Sequence, residues 1–566
     1  MASTQQKRPY KNQSEAWIVG SGTAALASAL YLIRLAGIPP QKVHIFDPHG
    51  SLGQALHNHG NCSSGYDQFA GCLPVPVGEP LKKLLALVPS VQDMNRSVID
   101  EIEKANAEFE RAQSGACTEK VKSGKKKDNK NKKNRNGHTQ FLVQRNGELL
   151  TIPTDCLNLN IRHRVSLMKL FFKREISLQR KQISDCLPPS FFGSTFWAIW
   201  SAQFGFQPRH SASEFRRTLR QYIQKFHGHG LAMLSCLDIT GRYQFEAVFS
   251  PIYHFLRSLE VDYRFGARVK DIGTTTREGQ TVVNRIDYVE NGFELGQPVG
   301  VNDIVIVTLG STVSGSTTGT NDDPPFRESL QPSEALDANW ALWLELEARY
   351  ARLGDPYNFC TKQNESMIES FTVTTEDLEV YARFCALSEG PEPAGLGAGS
   401  FIALQESPWR MSVCLPTQPV FSEQPANVRV FWGFASLPET KGKFVQKAMV
   451  ACCGAEIMEE LLGHLHLDPR QLVKRTVTVP RVMPRMSAIL LPRALGDRPA
   501  VIPPCISNLG LVGQFCELPH QSCVDMSYSV RTAQQAVAHL TGLEADEKDE
   551  RHWCHLNSLF RILFWK

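Results

Sequence analysis

The clearest alternation of apolar and polar segments lies between Glu15 and Asp47. Residues 16–19 (AWIV) form a short, wholly apolar run of the length expected for a buried strand. Gly20, Ser21 and Gly22 then break it. Residues 23–36 (TAALASALYLIRLA) have helical length, with small side chains first and larger apolar ones later, and Gly37 ends them. After Pro39 and Pro40, residues 43–46 (VHIF) give a second apolar run that finishes at Asp47. The pattern predicts a strand, tight turn, helix and second strand within about 30 residues.

Further along, residues 261–272 (VDYRFGARVKDI) alternate like a strand pair, and residues 303–308 (DIVIVT) read as an apolar strand running into Gly310 and Ser311. Residues 508–512 (NLGLV) repeat that pattern before Gly513, Gln514 and Phe515, and residues 527–543 form an amphipathic helix. The expected fold class is α/β, a Rossmann-like domain assembled from the discontinuous segments 15–60, 232–330 and 481–545. Segments 61–231 and 331–480 are expected to supply an interleaved substrate domain and a helical cap. The tail, 546–566, is charged and then aromatic. It reads first as a docking helix, with membrane-surface contact as the alternative.

The first turn fits G-x-G-x-x-A as Gly20, Gly22 and Ala25. Gly20 permits the tight turn and Gly22 lets the backbone approach a pyrophosphate, with Ser21 between them. Ala25 keeps the helix close to the strand, and the N–H groups at the helix start face the phosphates. Asp47, at the end of the second strand, suits a ribose hydroxyl, and Gly50 and Ser51 are candidates to pack beside the phosphates. The motif by itself does not separate FAD from NAD. A second glycine-rich run, 390–401 (GPEPAGLGAGSF), lacks the lysine of a phosphate loop and reads as a plain loop.

Charge changes the picture less than the total of +4 implies. Between Lys120 and Arg135 nine Lys or Arg residues stand against Asp128, a local +8 that leaves −4 for the rest of the chain. Residues 113–138 therefore read as a flexible insert, not as part of a nucleic-acid-binding face. The absence of basic residues interleaved with aromatics argues the same way. The 15 cysteines are scattered, and no spacing typical of a metal site appears, so free thiols in a reducing, cytoplasmic setting are expected. No apolar run reaches the length of a membrane span, which leaves only a peripheral membrane contact open.

Several stretches resemble the oleate hydratase family, also called myosin-cross-reactive antigens. They include IVGSGTAALASALYLIR near the start and FWAIWSAQFGFQPRHSASEFRRTLRQYI at 196–223. MPRMSAILLPRALGDRP at 483–499, LVGQFCELP at 511–519 and YSVRTAQQAV at 528–537 follow in the family's order. The resemblance implies non-covalent FAD and addition of water across a cis double bond of an unsaturated long-chain fatty acid. It also implies that Ser311, Gly513, Gln514 and Phe515 approach the flavin. Homodimers are common in such proteins, although no symmetric interface is legible in this chain.

The chain departs from the family where its chemistry is attributed. A loop that reads RGGREM in the family reads FAGCLP here, so the family's Glu falls on Leu73. A segment near YNQYES reads TGRYQFEA at 240–247, so its two Tyr positions fall on Arg242 and Phe245. Tyr243, one position away, is the candidate proton donor. The carboxylates Asp67 and Glu79 flank the altered loop and read first as ordinary exposed acids. Three readings stand: a fatty-acid hydratase with a rearranged acid/base pair, a flavin-dependent oxidoreductase acting on a lipid or polyketide-like substrate, and a non-catalytic FAD-binding paralogue.

Overall fold

The computed structural model describes residues 14–49, 60–68, 78–90, 93, 95–104, 140–145, 147–151, 158–222, 245–325, 336–350, 352–387, 400–416 and 418–544. Gly50, Ser51, Leu73, Arg242, Tyr243, the Lys-rich insert and the 546–566 tail lie outside these residues.

A five-stranded parallel sheet forms the centre. Ala16–Val19 is its middle strand, between Ile304–Thr308 and Val43–Asp47, with Leu509–Val512 and Asp262–Phe265 at the edges. The central strands are buried on both faces, which accounts for their continuous apolar runs where one-sided burial would leave alternation. Residues 261–272 do contain two strands, but they part company. Asp262–Phe265 stays in the parallel sheet, Gly266 turns the chain at φ +73°, and Arg268–Arg277 enters a separate three-stranded antiparallel sheet.

The intervening segments build an eight-stranded mixed sheet. Its order is Thr317–Thr318, Val477–Met483, Ile368–Thr375, Arg429–Ala435, Met411–Leu415, Ser400–Ala403, Gln140–Arg145 and Glu148–Thr151. Around the sheets run α1 (Thr23–Arg34), α2 (Ile161–Phe172), α3 (Thr195–Phe204), α4 (Ala212–Tyr222), α5 (Ala338–Arg349), α6 (Gly454–His464) and α7 (Met526–Thr541). The alanines of α1 are buried and allow close approach to the sheet and to α7. No helix among the described residues is long and apolar enough to cross a membrane.

One buried ion cluster ties α4 to the segment that leads into the last parallel strand. Glu214 is fully buried. One of its oxygens accepts Arg493 Nε and Nη2 at 3.1 and 2.8 Å, with Arg498 Nη1 at 3.3 Å and Arg217 Nη1 at 3.7 Å. The other accepts the Cys523 thiol at 3.2 Å. Arg217 also pairs with Glu175 and Glu517, and Arg493 Nη2 lies 2.8 Å from Glu517 Oε2. Burial alone would push the Glu214 carboxyl up, but the guanidinium groups of Arg498, Arg217 and Arg493 hold it well below the usual range. Removing Glu214 leaves those cations buried and under-compensated. Glu214→Ala is therefore expected to lower the unfolding free energy by about 3–5 kcal/mol in denaturant titration, and a loss under about 1 kcal/mol would contradict the cluster's structural role.

His210 closes the turn before α4. Its Nδ1 accepts the Gln207 N–H at 3.0 Å, and its Nε2 lies 3.4 Å from Ser487 Oγ. Burial, and secondarily Arg209, pushes its pKa down to about 3. The unfolded imidazole titrates near 6.5, so between these values the unfolded state binds the extra proton. The contribution is intact above pH 6.5 and is lost as pH falls towards 3. The stability gap between wild type and His210→Gln should shrink by about 1.4 kcal/mol per pH unit below 6.5, measured by thermal or urea unfolding. A gap that stays constant from pH 7 to 5 would contradict a buried neutral imidazole.

Candidate functional site

The carboxyl ends of the parallel strands open into one cavity of about 890 Å³. Gly20, Ser21, Gly22, Ser311, Gly513, Gln514 and Phe515 all line it. Ala25 does not: it is fully buried in α1.

Two of these glycines are needed for different reasons. Gly20 sits at φ +108°, and a Cβ there would meet Thr308 Oγ1 at 2.9 Å. Gly22 has an ordinary extended backbone, and a Cβ on it would meet nothing within 4 Å. Its face opens on the cavity. Gly22 is also the N-cap of α1 and provides no side-chain cap, so the first N–H groups of the helix are left for another acceptor.

Asp47 ends its strand fully buried. Oδ1 accepts the His49 N–H at 3.0 Å, and Oδ2 has no hydrogen-bond partner among the described residues. Burial raises the carboxyl's pKa against the lowering effects of that N–H and of the Ser21 hydroxyl, which lies close enough to act on the carboxylate. Its neighbours Pro48 and His49 reach the cavity lining. A glycine face with free space, an uncapped helix start and a buried carboxylate beside the first turn together fit the pyrophosphate and ribose of a dinucleotide.

The opposite wall comes from residues 311–320 (STVSGSTTGT), a run of hydroxyls that lines the cavity almost without a break. Its conformation is enforced from behind. Arg485 donates to the Ser314 carbonyl at 3.2 Å, and Trp340 Nε1 donates to the Ser311 carbonyl at 2.9 Å. Gly310, at φ +59°, has no room for a Cβ beside Phe515 and Trp340. Phe515 in turn lies edge-on to Trp340, with ring centroids 4.7 Å apart. The sequence signal for this wall was its composition, a polar run after a buried strand, but no spacing within it marks a site.

Asp67 is not an exposed acid. Thr374 and Thr372 hydroxyls accept the N–H groups of Tyr66 and Gln68, both at 2.9 Å, which holds the intervening residue against the Ile368–Thr375 strand. Asp67 Oδ2 there accepts Arg481 Nε at 3.0 Å, and both residues line the cavity. Arg481 was not legible as its partner, being 414 positions away. Tyr66 stacks on Phe421, and burial pushes its phenol up to about 12. Glu79, by contrast, is exposed at a helix start, 3.7 Å from Lys82, and is not on the cavity wall.

The chain is 29% identical over 544 residues to an oleate hydratase of Streptococcus pyogenes, spanning 94% of this chain and 86% of that one. It is 29% identical over 416 residues to a linoleate hydratase of Lactiplantibacillus plantarum, spanning 69% and 72% respectively. Among solved structures, an oxidoreductase from Methanosarcina mazei overlays with a TM-score of 0.45 and 11% identity, over 92% of this chain and 100% of that one. The model of the MCRA family matches residues 13–538, nearly the whole length, and the chain belongs to that family.

Proposed function

We propose that this protein is an FAD-binding fatty-acid hydratase, adding water across a cis double bond of an unsaturated long-chain fatty acid. The observation that carries the reading is a single cavity in which a dinucleotide cradle faces the Asp67–Arg481 pair, in a chain whose relatives are named for oleate and linoleate hydration. Gly20, Ser21, Gly22, Asp47 and the Gly513, Gln514 and Phe515 turn are the residues that would hold FAD, with Gly50 and Ser51 beside them. When bound, FAD in this reaction supplies an organising surface with no net redox change.

Hydration requires a proton on one alkene carbon and a water oxygen on the other. In the proposed mechanism the Tyr243 hydroxyl gives the proton. Asp67 accepts a proton from the water whose oxygen bonds to the developing cation, and Arg481 holds that carboxylate in place. Transfer of the proton from Asp67 back to Tyr243 through solvent restores both groups, so one water is consumed and nothing is oxidised. The hydroxyl wall of residues 311–320 is suited to hold the water.

The cofactor assignment and the reaction are tested separately. Gly22→Val should fold with the melting temperature of the wild-type apoprotein, because a Cβ there meets nothing within 4 Å, yet purify with flavin absorbance reduced at least about ten-fold. Full flavin content in that variant would remove the cradle from the site. The purified protein with FAD, with and without a reductant, incubated with oleic and linoleic acids, should yield hydroxy acids heavier by one water in mass spectrometry. Asp67→Asn and Tyr243→Phe should each slow formation about 100-fold or more. No product from a protein with a full flavin spectrum would overturn hydration of these substrates and favour a redox or purely binding role.

A further inference from the structure

Helix α2 has two apolar faces. One is buried: His163, Leu167, Leu170 and Phe171 point into the core. The other carries Ile161, Val165 and Phe172, with Ile176 just beyond the helix end. These are 82%, 43%, 55% and 65% exposed. At 100° per residue Ile161, Val165 and Phe172 fall on one line, with half-buried Met168 between them, over about 16 Å of helix. Burial in the fold does not explain this stripe, since the helix already has its core face.

The stripe is bordered by cations. Arg162, Lys169, Lys173 and Arg174 are all exposed, and Arg180 and Lys181 follow on the next turn of chain. Between residues 161 and 184 the only acid is Glu175, and that carboxylate is turned inward onto Arg216 and Arg217. The surface is therefore apolar along its centre and positive along one flank and beyond the helix end. A helix lying in the plane of a bilayer has this distribution, with its apolar side chains among the acyl chains and its basic ones among anionic headgroups. The Lys-rich run between residues 120 and 135 has the same sign of charge, so it does not complement the surface.

We propose that the Ile161, Val165, Phe172 and Ile176 face docks on the surface of a lipid bilayer containing anionic lipids. The inference goes beyond the proposed reaction and its readout needs no turnover, so it stands or falls apart from hydration.

The test is flotation of the full-length protein with vesicles of phosphatidylcholine alone or mixed with phosphatidylglycerol. The protein should float with the mixed vesicles, be released by high salt, and stay behind with phosphatidylcholine alone. The double variant Ile161→Asp/Phe172→Asp, and separately Lys169→Glu/Lys173→Glu, should reduce flotation at least ten-fold while melting as wild type does. Failure of the wild type to float, or flotation of both variants at wild-type levels, would overturn the proposal. Two further outcomes would also overturn it. One is loss of flotation only when Lys125, Lys126 and Lys127 or Phe564 and Trp565 are changed. The other is a dimer in gel filtration that Phe172→Asp dissociates while vesicle binding persists, which would assign the stripe to a second copy.

Discussion

A carboxylate carried into a dry interior costs several kcal/mol in lost hydration, and α4 carries Glu214 to such a place. The cost is offset by three guanidinium groups, one from α4 itself and two, Arg493 and Arg498, from the segment that runs on to the Leu509–Val512 strand. Arg498 also donates to the Ile489 carbonyl, and Arg493 continues to Glu517. The helical segment at 196–223 and the C-terminal segment at 483–519 are therefore locked together by an interaction that tolerates little displacement. These are two of the stretches that carry the family resemblance, and their charged residues meet at one buried point. Ile489 and Leu490, Phe515 and the Gly513 turn lie in or next to this locked segment and also line the cavity, so the cluster sets the position of one cavity wall.

The cavity itself follows from sheet topology. In an open parallel sheet the loops that leave the carboxyl ends converge on one side. Here the chain leaves Val19 into Gly20, Asp47 into Pro48 and His49, Thr308 into Leu309 and Gly310, and Val512 into Gly513, and every one of those following residues lines the same space. The second sheet closes it with Val479 and Arg481 from one strand and Thr318 from another. Neither sheet makes the site alone. The glycine turns belong to the first, and the charged pair depends on the second.

That division decides what was legible in the sequence. The elements near residues 16, 43, 304, 509 and 526 could be placed to within two or three residues, because apolar runs and glycine turns are local signals. Residues 261–272 were read as two strands of a pair, since alternation reports a strand but not the sheet it joins. The eight-stranded sheet was not specified at all. Its strands are drawn from residues 140 to 483 and include Ile368–Thr375, buried along its entire length although it contains Glu369, Ser370 and three threonines. Composition there is polar, and only the tertiary neighbours make it a core strand. The same limit applies within the site. The glycines and Asp47 fall within a 28-residue window that a motif can capture, whereas Asp67 meets Arg481 only because threonine side chains on a third segment bind the backbone on either side of it.

The cavity carries polar groups of its own, in places set by tertiary contacts and not by a local motif. The described lining combines hydroxyls from residues 311–320, which hydrogen-bond water without adding charge, with the Asp67–Arg481 ion pair, whose charges cancel at a distance. A lone carboxylate in an apolar cavity would take up a proton or hold bulk water. A carboxylate paired with a guanidinium has its charge balanced and its position fixed by a charge-assisted hydrogen bond. Arg481 sits on a strand of the eight-stranded sheet, and Asp67 follows the short Gly65–Tyr66 strand with the N–H groups on either side of it bound to Thr374 and Thr372.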